Sequence, residues 1–179
     1  MSAFAKERFS RLVLPRLDEA YRLARWLTGS AADAEDIVQE ASLRAYRAME
    51  TFVEENARAW FLTIVRNLCY SWLQKRKAER LAIKEDKDPA DEQVMETGGV
   101  HTHTPDTPES LLIAKQETMR LTRVIDALPV DLKEILVLRE YHALAYRDIA
   151  AISGVPLGTV MSRLARARQR LMQLLEDSH

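Results

Sequence analysis

A single cysteine, Cys69, has no partner for an internal disulfide, which excludes a disulfide-stapled scaffold. Glycine and proline are scarce, 5 and 6 in 179 residues, and aromatics are only 7%. A chain this poor in turn formers and rings favours helices over sheets. No run of 18 apolar residues occurs, and the N-terminal MSAFAKERFS lacks an apolar signal core. No membrane insertion and a cytoplasmic location are therefore expected. There is no Gly-rich phosphate loop, no HExxH pair and no nucleophile elbow. No catalytic residue, no cofactor and no enzyme activity are expected. His101 and His103 offer only two ligands in a polar stretch, too few for a metal site.

The net charge of −1 gives no hint of a nucleic-acid binder, but its distribution does. Residues 1–83 hold 14 basic and 11 acidic side chains, a balance of +3. Residues 84–106 hold 2 and 7, a balance of −5, and residues 107–179 hold 10 and 9, a balance of +1. The middle segment also contains Pro89, Gly98-Gly99 and HTHTPDTP and has no apolar period, so it reads as a flexible acidic linker.

The flanks are periodic. Leu14, Leu17, Tyr21, Ala24 and Thr28 form a stripe that Leu23, Trp26 and Leu27 widen, and Gly29 ends that helix. Ser30 with Asp33 starts a second, whose inward face is Ala34, Val38, Ala41, Ala45 and Met49. A third is expected from about Ala57 to Arg80, with Trp60, Phe61, Ile64, Val65, Leu68, Trp72 and Leu73 as its apolar positions. Thr107 and Pro108 open the next, carrying Leu121, Val124, Ile125 and Leu128. Pro129 stops it; Asp131 with Glu134 restarts a helix whose core side is Ile135, Leu136, Leu138 and Tyr141.

Three constellations stand out. Asp33, Glu35, Asp36 and Glu40 crowd a helix start. The dipole explains the first turn, but Asp36 and Glu40 repel each other, so a basic partner surface is the stronger reading. Arg66, Lys75, Arg76, Lys77 and Arg80 are interleaved with Trp60, Phe61, Tyr70 and Trp72, a mixture suited to single-stranded nucleic acid. For most of those rings a place in the core is the stronger reading; Asn67, polar on an otherwise apolar stretch, fits a core less well, and its amide could read a base edge. Finally, Leu144–Leu171 reads as a short helix, a turn at Ser153-Gly154 and a long basic helix, a helix-turn-helix for the major groove. Arg163, Arg166 and Arg170 share one face of it, while Arg168 projects elsewhere to a phosphate or an internal partner.

Three segments, RLARWLTGSAADAEDIVQEASLRAYRAM (22–49), RAWFLTIVRNLCYSWLQKRK (58–77) and LPVDLKEILVLREYHALAYRDIAAISGVPLGTVMSRLARARQRL (128–171), resemble, in order, the bacterial sigma-70 family of the small extracytoplasmic-function (ECF) type. The resemblance implies an all-α fold of two small helical domains. They are a sigma region 2 bundle at 1–83 and a sigma region 4 helix-turn-helix at 107–179, joined by a flexible acidic linker at 84–106 that threads polymerase channels. It implies core RNA polymerase as partner, through the clamp helices of the largest subunit and the flap. Asp33, Glu35, Asp36, Gln39 and Glu40 fall in the clamp-docking region. The loop near Thr51–Arg58 and the following helix match the part that melts and reads the minus-ten element. Arg66, Asn67, Tyr70, Lys75 and Arg76 are the candidate contacts there, with Asn67 lining a pocket for a flipped base. Thr159, Ser162, Arg163, Arg166 and Arg170 are the candidates for the minus-thirty-five element. Met161 stands where many relatives have Lys or Arg, Ala165 where some have a larger side chain, and Ala145 where Ser or Thr usually caps. Promoter DNA and an anti-sigma factor that both domains clasp complete the implied partners. The rivals are a dimeric helix-turn-helix operator-binding regulator and an interaction protein that sequesters partners.

Overall fold

A computed structural model of the chain describes residues 3–53, 55–84 and 108–177. Residues 85–106 of the acidic linker, with His101 and His103, and the Thr107 cap lie outside the described residues, while Lys84 belongs to the last helix of the N-terminal half. Within them are eight α-helices and no strand: α1 (Ala3–Leu12), α2 (Leu17–Thr28), α3 (Ala31–Ala48), α4 (Ala57–Lys84), α5 (Pro108–Asp126), α6 (Val130–Glu140), α7 (Tyr146–Ser153) and α8 (Leu157–Glu176). A 3₁₀ turn at Leu14–Arg16, built around Pro15, separates α1 from α2.

The caps follow the sequence. Gly29 ends α2 in the left-handed conformation at φ 71, and the Ser30 hydroxyl accepts from the Asp33 amide at 3.3 Å to start α3. The α2 stripe is shifted, however. Its buried side chains are Ala20, Leu23, Ala24, Leu27 and Thr28, while Leu14 lies on the turn and is exposed. Pro15 breaks the helical phase, so a stripe drawn through it fails. The helix α1 lies ahead of the stripe that the periodicity begins at Leu14. It contributes only Ala5 and Leu12 to the core, and is held by Arg8, which donates to the Met49 and Phe52 carbonyls at 2.7 and 2.8 Å.

The N-terminal bundle packs a small-residue face of α3 (Ala34, Ile37, Ala41, Ala45) against α2 and against Phe61, Leu62, Val65 and Cys69 of α4. Burial, the largest influence, pushes the Cys69 thiol up to about 12, so it is an inert core residue. The C-terminal half packs Ile125 and Leu128 with Ile135 and Leu138 of α6, Ile149 and Ile152 of α7, and Val160, Leu164 and Ala167 of α8, and Val124 is buried as well. Leu121 and Tyr141, read as core from periodicity, are partly exposed.

Gly154 ends α7 at φ 70; a Cβ there would meet nothing within 4 Å, so backbone conformation, not space, selects glycine. Ala145 occupies the α7 N-cap with extended backbone and no side-chain acceptor. Ala145→Ser is expected to stabilise the C-terminal half by about 1 kcal/mol. Urea unfolding checks this; an unchanged midpoint would mean that the first α7 amides gain nothing from a hydroxyl.

The two halves touch. α4 packs on α7 and α2 on α6, and buried side chains of both halves form one continuous cluster.

Candidate nucleic-acid interface

The acidic constellation forms the rim of a groove between α3 and α4. Asp33, Asp36 and Glu40 line it from α3, Leu68, Ser71, Trp72 and Lys75 from α4, and Ile37 and Trp72 give it an apolar floor; its volume is about 310 Å³. Glu35, Asp36 and Gln39 are exposed. Two of the five candidates have local partners. Asp33 accepts from the Trp72 indole at 3.1 Å and pairs with Arg76 at 3.7 Å, and Glu40 pairs with Arg44 at 2.7 Å. The i, i+4 pair with Arg44 gives Glu40 a reason to sit on this helix without any outside partner. Arg76 lies 5.0 Å over the Trp72 ring, so this candidate DNA contact borders the acidic groove.

Asn67 is exposed on α4, and Lys75 projects freely beside the groove. Arg66 and Tyr70 do not. Both turn toward Glu134 of α6, which has no exposed surface. Burial lowers the Arg66 pKa, but the Glu134 hydrogen bond and charge outweigh this and raise it; burial and the same carboxylate push the Tyr70 hydroxyl well above its ordinary range. Tyr70 is therefore a proton donor here.

The loop ahead of α4 is equally engaged. Asn56 caps α4 by accepting from the Ala59 amide at 3.0 Å, and its amide donates to Asp148 of α7 at 2.9 Å. Phe52 stacks on Trp60 at 4.1 Å, so that ring belongs to the packing. A cavity of about 380 Å³ remains between this loop, Trp60 and Thr63 on one side and Arg147, Asp148 and Ala151 on the other.

On α8 the buried face is Val160, Leu164 and Ala167. Opposite it lie Gly158, Met161, Ser162, Ala165 and Gln169, all exposed. Arg166 and Arg170 flank this face in the open; Thr159 is half-buried, and Arg163 is half-buried and sits 3.8 Å from Asp131. Arg168 takes the internal alternative, bonded to Glu140 at 2.6 Å. The centre of the outward face is thus small and uncharged, with cations on its edges.

Sigma-70 region 2 matches residues 12–79 and Sigma-70, region 4 matches residues 118–171. The ECF RNA polymerase sigma-E factor of Escherichia coli (strain K12) is 34% identical over 142 residues, covering 79% of this chain and 73% of that protein. The chain belongs to the ECF RNA polymerase sigma factors. A second relative, the ECF RNA polymerase sigma factor SigE of Mycolicibacterium smegmatis, is 32% identical over 170 residues, covering 93% of this chain and 61% of that one. Among solved structures, the sigma factor RpoE in complex with the anti-sigma factor NepR from Bartonella quintana superposes with a TM-score of 0.74 at 27% identity, over 95% of this chain and 98% of that one. CnrH in complex with the cytosolic domain of CnrY has the same fold, at TM-score 0.66 and 20% identity over 97% and 91% of the two chains. Among the described residues, no helix of this sigma factor is long and apolar enough to cross a membrane.

Sequence reasoning missed the polar residues that join the halves of this sigma factor. Glu134 passed for the capping partner of Asp131, although it is the one acid against the apolar run Ile135–Leu138. Nothing in the sequence signalled the pairing of Glu19 with Arg58. Arg58 donates from Nε to Glu19 at 2.9 and 3.1 Å, pairs with it again through Nη2, and donates to the His142 carbonyl at 2.6 Å. His142 Nδ1 lies 3.4 Å from the same carboxylate.

Proposed function

We propose that this sigma factor docks on the clamp helices of the core RNA polymerase largest subunit through Asp33, Glu35, Asp36, Gln39 and Glu40, with the C-terminal domain reaching the flap. The groove between α3 and α4 carries this reading: an apolar floor with an acidic rim suits a basic helical partner. Residues 1–83 and 107–179 act as separate domains once on polymerase. The loop before α4 melts the minus-ten element, and Arg66, Asn67, Tyr70, Lys75 and Arg76 hold the single strand. Thr159, Ser162, Arg163, Arg166 and Arg170 address the minus-thirty-five element. Arg166 and Arg170 are the freer phosphate or base ligands; Arg163 first has to leave Asp131. The protein performs no chemistry itself and works in the cytoplasm. An anti-sigma factor holds it inactive, as the bound state of a similar solved sigma factor supports.

The test is binding of the purified chain to bacterial core polymerase. Glu35→Lys with Asp36→Lys, both exposed, is expected to weaken it about tenfold or more. Unchanged affinity would remove the groove from the account.

Met161 carries a second expectation. It lies on the outward α8 face beside Ser162 and Ala165 and is 53% exposed. An apolar side chain there favours thymine methyl groups, whereas arginine favours guanine. Selection from a randomised minus-thirty-five library is expected to shift about tenfold toward guanine at one position for Met161→Arg, with the minus-ten preference unmoved. Identical selected sequences would mean that Met161 faces no base.

A further inference from the structure

Little apolar surface fastens the first helix to the bundle, since only Ala5 and Leu12 of α1 are buried. Its longest side-chain reach goes to one place. Arg8 donates from Nη1 to the Met49 carbonyl at 2.7 Å and from Nη2 to the Phe52 carbonyl at 2.8 Å. Met49 is the C-cap of α3, and the Thr51 and Phe52 amides both turn back to the Ala48 carbonyl, at 3.1 and 2.9 Å. The Arg8 guanidinium also lies 5.4 Å from the centre of the Phe4 ring and 5.8 Å from that of Phe52. Phe52 in turn stacks on Trp60 of α4 at 4.1 Å. Phe9 meets Tyr46 of α3 edge-on at 5.2 Å and seats α1 against α3.

The carbonyls at the end of a helix have no intrahelical donor and carry the negative end of its dipole. A guanidinium can satisfy two carbonyls at once because its donors form a fixed fork; an ammonium on a flexible stem has no such fork. Arg8 therefore fixes the backbone at Met49 and Phe52, and with it the direction in which the chain leaves α3. Thr51 and Val53, on either side of Phe52, stay exposed. We propose that α1 is a brace for the loop before α4 and that Arg8 is its positioning residue, tying Phe52 to α1 and to the Trp60 ring so that Thr51 and Val53 are presented before any DNA arrives. The inference rests on the assignment of minus-ten melting to this loop. Arg8 itself touches no DNA and acts through Phe52. Extruding a base from a duplex is costly, and a loop already held in its binding geometry adds no ordering cost to it. On a strand that is already open the extrusion cost is absent, so a slack loop matters far less.

The test uses the full chain as Arg8→Ala and Arg8→Lys. Hydrogen exchange reads the loop. Run-off transcription with purified bacterial core polymerase reads melting, on a duplex promoter and on the same promoter with its minus-ten element pre-opened by mismatches. In Arg8→Ala the Thr51 and Phe52 amides are expected to exchange about tenfold faster than in wild type, with those of the buried Phe61 and Val65 unchanged. Transcription is expected to fall about tenfold on the duplex and less than about twofold on the pre-opened template. Arg8→Lys keeps the charge without the fork and is expected to resemble the alanine variant in both readouts. Unchanged exchange, full rescue by lysine, or an equal loss on both templates overturns the proposal; the last would mean that Arg8 serves the fold as a whole. Faster exchange with undiminished transcription from the duplex, or with no transcript from wild type on either template, overturns instead the assignment of melting to this loop.

Discussion

Phe61→Ala is expected to destabilise the N-terminal bundle by about 3–5 kcal/mol, the usual cost of emptying a buried aromatic site. Phe61 is fully buried on α4, where that helix meets α2 and α3. A domain of this size has roughly 5–15 kcal/mol to lose, so the variant is close to unfolding. Phe61→Leu keeps most of the volume and is expected to cost about 1.5 kcal/mol or less, the range of volume-conserving swaps. Urea unfolding followed by helical circular dichroism measures both. A loss below about 1 kcal/mol for the alanine variant would contradict the central place of Phe61. The functional consequence is direct, because α4 carries both the wall of the acidic groove and Asn67. Loosening it disturbs two surfaces at once.

Acid is expected to open and then unfold the protein through Glu19. Burial raises the pKa of this carboxyl, but the hydrogen bonds from His142 and Arg58 and their charges dominate and bring it down to about 2. The usual value of 4.5 applies in the unfolded chain. Above pH 4.5 both states carry the negative charge, and the full stabilisation is present. Between 4.5 and about 2 the unfolded chain takes a proton that the folded state refuses, so stability falls. The loss across that window is about 3 kcal/mol, from a pKa difference of this size. Because Arg58 also holds the His142 carbonyl, the same protonation loosens the contact between the halves. Glu19→Gln removes this component. Its stability is expected to be lower at neutral pH and to fall less between pH 4.5 and 2. A wild type and a Glu19→Gln variant with parallel acid profiles would contradict the assignment.

Much of the helical plan was legible because its signals are local. Gly29, Ser30 and Gly154 punctuate the helices by backbone conformation and capping, and a neighbour in sequence suffices to see it. Periodicity was less reliable at the edges. Pro15 shifted the phase of α2, and α1 escaped because few of its residues are buried. Leu121 and Tyr141 fit a helical stripe yet lie partly open, since a period says which residues share a face but not what covers that face.

The candidate surfaces divide in the same way. Asn67, Glu35, Asp36 and Gln39 are exposed, as a partner-binding role requires, and the outward face of α8 could be drawn from its spacing. The engagement of Arg66 and Tyr70 with Glu134 could not be read from sequence: the partners are 68 and 64 residues apart and belong to different halves. Glu134 had a satisfactory local explanation at the start of α6, and only the packing of α6 toward α4 replaces it. The same holds for Arg163, whose spacing matched Arg166 while Asp131 across the domain claims it.

The central claim is that this chain directs core RNA polymerase to a two-part promoter through Asn67 on α4 and Arg166 on α8. Run-off transcription with purified bacterial core polymerase on a promoter-library template tests it most directly, comparing wild type with Asn67→Ala and Arg166→Ala. The account predicts specific transcripts that require the protein, each substitution reducing them about tenfold, and selected sequences that lose preference at the minus-ten element for the first and the minus-thirty-five element for the second. Transcripts at wild-type level and wild-type sequence from both variants would contradict it, as would footprinting of an operator by the protein alone with no polymerase-dependent transcript.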